Sequence, residues 1–137
     1  MPKSVYEAFF PFPPETVYAA MTDLSCHQWR SDLCGLTVHE GGNSFTELAK
    51  GGGQTLFTIT KKVPCKHYAF DMEHENFTGC WSGELFPVSS GTRVVFTETL
   101  HMKRLPLRLL APVFLPLKKM QKTYVQDLQM YLSSLGR

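Results

Sequence analysis

The sequence predicts an α+β fold: a curved antiparallel sheet of about seven strands wrapped around one long C-terminal helix, with one or two short helices after the first strand. Three observations predict it. The last stretch, Leu117 to Leu135, has helical periodicity, with Leu117, Met120, Tyr124, Leu128, Tyr131, Leu132 and Leu135 on one side. Lys118, Lys119, Lys122, Gln126 and Gln129 fall on the other, and the rod is roughly 28 Å long. From Lys3 to about Met102, by contrast, the chain reads mainly as strands. A lone amphipathic helix after a run of strands must bury its stripe against the sheet they form.

The elements follow in order. Lys3 to Phe10 is rich in Val, Tyr and Phe and reads as a strand, broken by Pro11-Phe12-Pro13-Pro14. Pro14 and Glu15 suit the first turn of a helix, where a missing N–H costs nothing and a carboxylate meets the positive dipole end. Val17, Ala20, Met21 and Leu24 then recur at helical spacing, and Asp23 or Ser25 is placed to cap a second short helix through Trp29. Leu36 to Glu40 and Ser44 to Lys50 flank Gly41-Gly42-Asn43, a hairpin signal. Gly51-Gly52-Gly53 reverses the chain into Gln54 to Lys61, and Pro64-Cys65-Lys66 reverses it again. Tyr68, Phe70 and Met72 then alternate with Asp71, Glu73 and Glu75, and His74 shares parity with the apolar set. Phe77 to Val88 is another strand, in which Gly79 and Gly83 are expected to mark bends or bulges. After Ser89-Ser90-Gly91, Thr92 to Met102 places Val94, Phe96, Leu100 and Met102 on one face together with Glu98. Leu105 to Pro116 is apolar but cut by Pro106, Pro112 and Pro116, which predicts a broken helix or an ordered connection. The meander has one apolar face, and only the helices can cover it. A strongly bent sheet cannot meet a straight rod everywhere, so an interior cavity is expected between them.

Composition narrows the function classes. One domain spanning residues 1–137 is the default at this length, with a core large enough to need no staples. Four scattered cysteines without a CxxC pair, and no signal peptide, predict reduced thiols in a cytoplasmic protein. The net charge of +2 hides an asymmetry: six basic and no acidic residues lie between His101 and Lys122, leaving eight basic against twelve acidic elsewhere. A local patch of this kind argues against nucleic acid as partner. Lys103, Arg104, Arg108, Lys118, Lys119 and Lys122 interleave with leucines in a way that suits peripheral contact with an anionic membrane, a solvated face over buried leucines, or a dimer contact. A monomer and a homodimer both remain open. Cys26, His27, Cys34 and His39 match no usual zinc spacing, so no metal is expected. No P-loop, G-x-G-x-x-G or G-x-S-x-G is present, and no cofactor is expected.

Several strings, in order, resemble the SRPBCC superfamily, also called the helix-grip or START/Bet v 1-like fold. They are Pro14-Glu15-Thr16-Val17-Tyr18, Asp23, Trp29, Phe45-Thr46-Glu47, Trp81 to Pro87 and Gly91 to Glu98. The resemblance spans essentially the whole chain. It implies a small hydrophobic ligand, a lipid or polyketide-like molecule, held between the sheet and the final helix. Polyketide cyclases and dehydratases are among the families with this look.

The candidate residues follow from parity and from that implied pocket. Trp29, Phe57, Phe70, Trp81, Phe96, Met120 and Tyr124 would line it. Glu98, aimed into the apolar face, must pair, protonate or meet a wet cavity or ligand, because burying an unpaired carboxylate is costly. Gln121, inside the apolar arc of the final helix, could orient a ligand's polar group together with the Tyr124 hydroxyl. The leading expectation is a binding or carrier protein without turnover. The alternatives are a cyclase or dehydratase moving protons with Glu98 and His74, and a docking module using the basic segment at 103–122. A packed core, a satisfied strand-end histidine and a structural Glu98 hydrogen bond are the plain readings of the same residues.

Overall fold

The computed structural model describes residues 3–103 and 116–135. Its strands are β1 (Lys3–Phe10), β2 (Leu33–Val38), β3 (Ser44–Ala49), β4 (Gln54–Val63), β5 (His67–Glu73), β6 (Phe77–Val88) and β7 (Gly91–Met102). Helix α1 is Pro14–Thr22 and helix α2 is Pro116–Leu135. The strands form one antiparallel, curved sheet in the order β1-β7-β6-β5-β4-β3-β2. The expected broken helix or connection at 105–116 lies outside the described residues except for Pro116, which opens α2.

Local chemistry accounts for most boundaries. Pro14 sits at the helix start and Pro13 O accepts from the Thr16 and Val17 amides, so α1 begins where the prolines allow it. Its last turn closes with Thr22 Oγ1 donating to Tyr18 O. The expected second short helix does not form. Asp23 Oδ1 instead accepts from the Ser25 amide and hydroxyl, at 3.1 and 2.5 Å, and this local turn competes with helix initiation. Residues 23–32 therefore run as a series of turns. At the β2–β3 hairpin, Gly41 and Gly42 have φ of 91° and 76°, which only glycine adopts freely.

Gly79 and Gly83 mark no bulge: β6 pairs continuously with both neighbours through each of them. The glycine at 83 is needed for space. A Cβ there would meet Met21 Cε at 3.0 Å and the Trp81 indole at 3.3 Å, so the gap admits α1 onto β6. Register shifts occur elsewhere, at Ile59/Lys61 and Leu33/Gly35.

Helix α2 buries Leu117, Gln121, Val125, Leu128 and Leu132. Leu128 and Leu132 are fully buried and contribute about 2 kcal/mol each. Met120 and Leu135, expected on the buried stripe, are 53% and 54% exposed because the true stripe is rotated toward Gln121 and Val125. That rotation is set by β1, an edge strand. Lys118 Nζ donates to Val5 O, Gln121 Nε2 to Ser4 O and Gln129 Nε2 to Phe9 O, so α2 occupies backbone acceptors along β1.

Candidate functional site

A cavity of about 190 Å³ lies between the sheet and α2, closed on one side by the 23–32 connection. A single water needs roughly 10–15 Å³ by this measure, so the space is far larger than a packing defect.

Its wall is aromatic because inward-facing positions of adjacent strands fall in register. Ser4, Glu98, Trp81 and Phe70 form one row across β1, β7, β6 and β5. Trp81 stacks on Phe70 with centroids 4.7 Å apart, and Phe96 and Trp81 each meet Tyr124 of α2 edge-on, at 5.6 and 5.8 Å. Phe45 and Phe57 stack at 5.0 Å on the neighbouring row. Trp29 stacks on Tyr131 and meets Tyr124, which draws the 23–32 connection onto α2. Asp127 Oδ2 reinforces this by accepting from the Ser31 amide and hydroxyl, both at 2.8 Å.

One part of the lining is polar. Arg30 donates from Nε and Nη2 to Asp32 and from Nη1 to Glu47, with its guanidinium 5.0 Å from the Tyr124 ring centre. Burial opposes its charge, but Glu47 and Asp32 outweigh burial and hold the guanidinium protonated. Burial raises the Glu47 carboxyl above its ordinary range, with Arg30 pulling the other way. Glu98 makes no hydrogen bond or ion pair among the described residues. Burial pushes its carboxyl up to about 7, with Arg30 lowering it and Glu47 raising it. The hydroxyls of Tyr68 and Tyr124 are raised, in both cases mainly by burial. The Tyr68 hydroxyl and His27 Nδ1 are buried without a hydrogen-bond partner among the described residues.

The structure brings Trp29, Phe57, Phe70, Trp81, Phe96, Glu98, Met120, Gln121 and Tyr124 to this one cavity. Met120 touches it from the exposed side. Gln121 reaches it with both ends of its amide already engaged by Ser4. His74 is not brought there. Its ring stacks on Phe77 and its Nδ1 accepts from the Asn76 amide, at the turn into β6. It lies four residues beyond Phe70, roughly 13 Å along the strand from the row that holds Glu98. Parity assigned His74 its face but not its position along the strand. Of the basic residues, Lys103 pairs with Glu73 and Lys118 bonds β1, while Lys119 and Lys122 are exposed and Arg104 and Arg108 lie outside the described residues.

Sequence reasoning did not assign Arg30, Asp32, Glu47, Tyr68 and His27 to the cavity they line. Glu47 was findable, since it shares parity with buried Phe45 as Glu98 does with Phe96. Arg30, Asp32 and His27 sit in turns, where no periodicity announces a direction.

Comparisons with known proteins agree with this architecture. A family model described as "Polyketide cyclase / dehydrase and lipid transport" matches residues 1–130. No curated protein matches the chain in sequence. Among solved structures, the Zhui aromatase/cyclase from Streptomyces sp. R1128 superposes with a TM-score of 0.86 at 9% identity, covering 98% of this chain and 95% of that one. A START superfamily protein from Mycobacterium smegmatis does so with a TM-score of 0.82 at 11% identity, covering 97% and 98%. A protein from Thermus thermophilus reaches 0.74 at 19%, covering 99% and 100%. At such identities the likeness is one of fold. No helix among the described residues is long and apolar enough to cross a membrane.

Proposed function

We propose that this chain, which belongs to the polyketide cyclase / dehydrase and lipid transport family within the SRPBCC superfamily, binds a small, largely apolar molecule in the cavity between its sheet and α2. The observation that carries the reading is the cavity itself: about 190 Å³, walled by aromatic rings, with buried polar groups in its lining that have no partner among the described residues. Leaving the Tyr68 hydroxyl and the Glu98 carboxyl unpaired in a dry core would be costly, and a ligand bearing a polar group relieves that cost. The aromatic wall supplies the apolar contact area. The carrier or binding role is preferred to turnover because the proton-transfer pair Glu98 and His74 is not assembled.

The test uses the purified protein directly. Organic extraction followed by mass spectrometry should identify a co-purifying apolar species. Titration with a neutral naphthalene-type probe should quench Trp29 and Trp81 fluorescence saturably. Absence of both signals overturns the reading.

A further inference from the structure

The ionisable groups lining the cavity are unbalanced. Asp23, Asp32, Glu47 and Glu98 face it against Arg30 and His27. Arg30 is already committed to two carboxylates, at 3.0 Å to Asp32 and 3.3 Å to Glu47. Three of its five N–H groups are thereby used. Glu47 also acts electrostatically on Tyr68 of β5, Glu98 of β7 and Tyr124 of α2, so these groups lie within reach of one another's charge. Arg30 therefore offers no unmatched positive charge to an incoming anion.

Several groups lining the cavity can donate a hydrogen bond. The Tyr68 hydroxyl is one, and its residue is only 2% exposed. The remaining Arg30 N–H groups are others, and Glu98 joins them whenever it holds its proton. Donors converging on a cavity fit an acceptor oxygen. A carboxylate brings a charge that the nearby carboxyls repel.

We infer that the cavity selects a ligand presenting an uncharged oxygen to its Glu98–Tyr68–Arg30 end, and rejects a carboxylate-headed molecule of the same shape; this rests on the ligand-binding reading above. Selection of this kind separates ketone- or alcohol-bearing molecules from fatty-acid anions. The proton on Glu98 tunes it, since ionised Glu98 no longer donates and adds repulsion. The groups that set that proton are Arg30 from the connection, Glu47 from β3 and burial by the surrounding rings.

The test compares naphthalene, 2-acetylnaphthalene and 2-naphthoate, which share a ring and differ at one end, by calorimetric titration at pH 6 and pH 8. We expect 2-acetylnaphthalene to bind at least tenfold more tightly than 2-naphthoate at both values. Its own affinity should fall threefold or more between pH 6 and pH 8. Glu98→Gln should abolish that fall and narrow the gap to 2-naphthoate, while Glu98→Asp, which keeps a carboxyl, should retain the pH response. Equal or tighter binding of 2-naphthoate overturns the inference, as does an unchanged pH profile in Glu98→Gln. Saturable naphthalene binding without discrimination overturns this inference alone. Failure of all three compounds to bind overturns the ligand-binding reading and this inference with it.

Discussion

Gln121 and Ser4 grip each other at both ends: the Ser4 hydroxyl donates to Gln121 Oε1 at 2.6 Å, and Gln121 Nε2 donates to the Ser4 carbonyl at 3.0 Å. The two residues are 117 positions apart and both are buried. This contact joins the first strand to the last helix beside the cavity. Gln121→Leu should therefore destabilise the protein by about 1–3 kcal/mol, the cost of orphaning buried polar groups. Ser4→Ala should cost less, because the backbone acceptor survives. The double variant should cost less than the sum of the two, and chemical denaturation of all four proteins measures the coupling.

Glu98 makes stability depend on pH in a direction opposite to the usual carboxylate. Its folded value of about 7 lies above the ordinary 4.5, so between these values the folded state holds a proton that the unfolded state has lost. Stability should fall as pH rises through this window, by up to about 3 kcal/mol. Glu98→Gln should be more stable than the parent at pH 8, with the difference fading toward pH 5. Thermal melts at pH 5, 6, 7 and 8 check it, and a pH-independent difference would contradict it.

Arg30→Met should be damaging near neutral pH. It leaves Glu47, with a side chain 13% exposed, without its counter-charge, a loss of about 3 kcal/mol or more. Without Arg30 the Glu47 carboxyl rises further, so the penalty should shrink as pH falls and the carboxyl takes up a proton. Urea unfolding at pH 7.5 and pH 5 should show a larger deficit at the higher pH.

Asp127→Ala should loosen the connection over the cavity without disturbing the sheet. Ser31 loses the acceptor of both its amide and its hydroxyl. Global stability should drop by about 1–2 kcal/mol. Amide exchange should accelerate at Ser31 and its neighbours in 23–32 while β6 and β7 stay protected. Equal acceleration everywhere would show that the contact is not local.

Gly91→Ala and Gly83→Ala should differ sharply. A Cβ at Gly91 would collide with the Phe10 carbonyl, which is backbone held in the sheet and cannot yield. At Gly83 the nearest atom is the terminal methyl of Met21, at 3.0 Å, which can turn aside. The first substitution should abolish folding or lower Tm severely, and the second should cost about 1–3 kcal/mol by crowding. Thermal melts of the two variants beside the parent measure the contrast.

Much of the fold was legible in local chemistry. β6 runs over the predicted residues from Phe77 to Val88, and α2 begins one residue earlier than expected, at Pro116. Period-two alternation also turned Glu98 inward, where it is 9% exposed. The same rule, applied to Phe45 and Glu47, would have found the second carboxylate. It could not find Arg30, whose direction comes from Asp32, Glu47 and the Tyr124 ring rather than from any repeat.

By itself the sequence determined the elements, their order and which face of each strand is apolar, because propensity, turn residues and periodicity act over a few neighbouring positions. Tertiary structure alone decided where along the strands the inward groups meet. Register set Glu98 beside Trp81 and left His74 about four residues away from that row, and the bonds from α2 to β1 rotated Gln121 inward and Met120 outward. Those choices depend on contacts between residues as distant in the chain as Ser4 and Gln121, whose pairing no local pattern encodes.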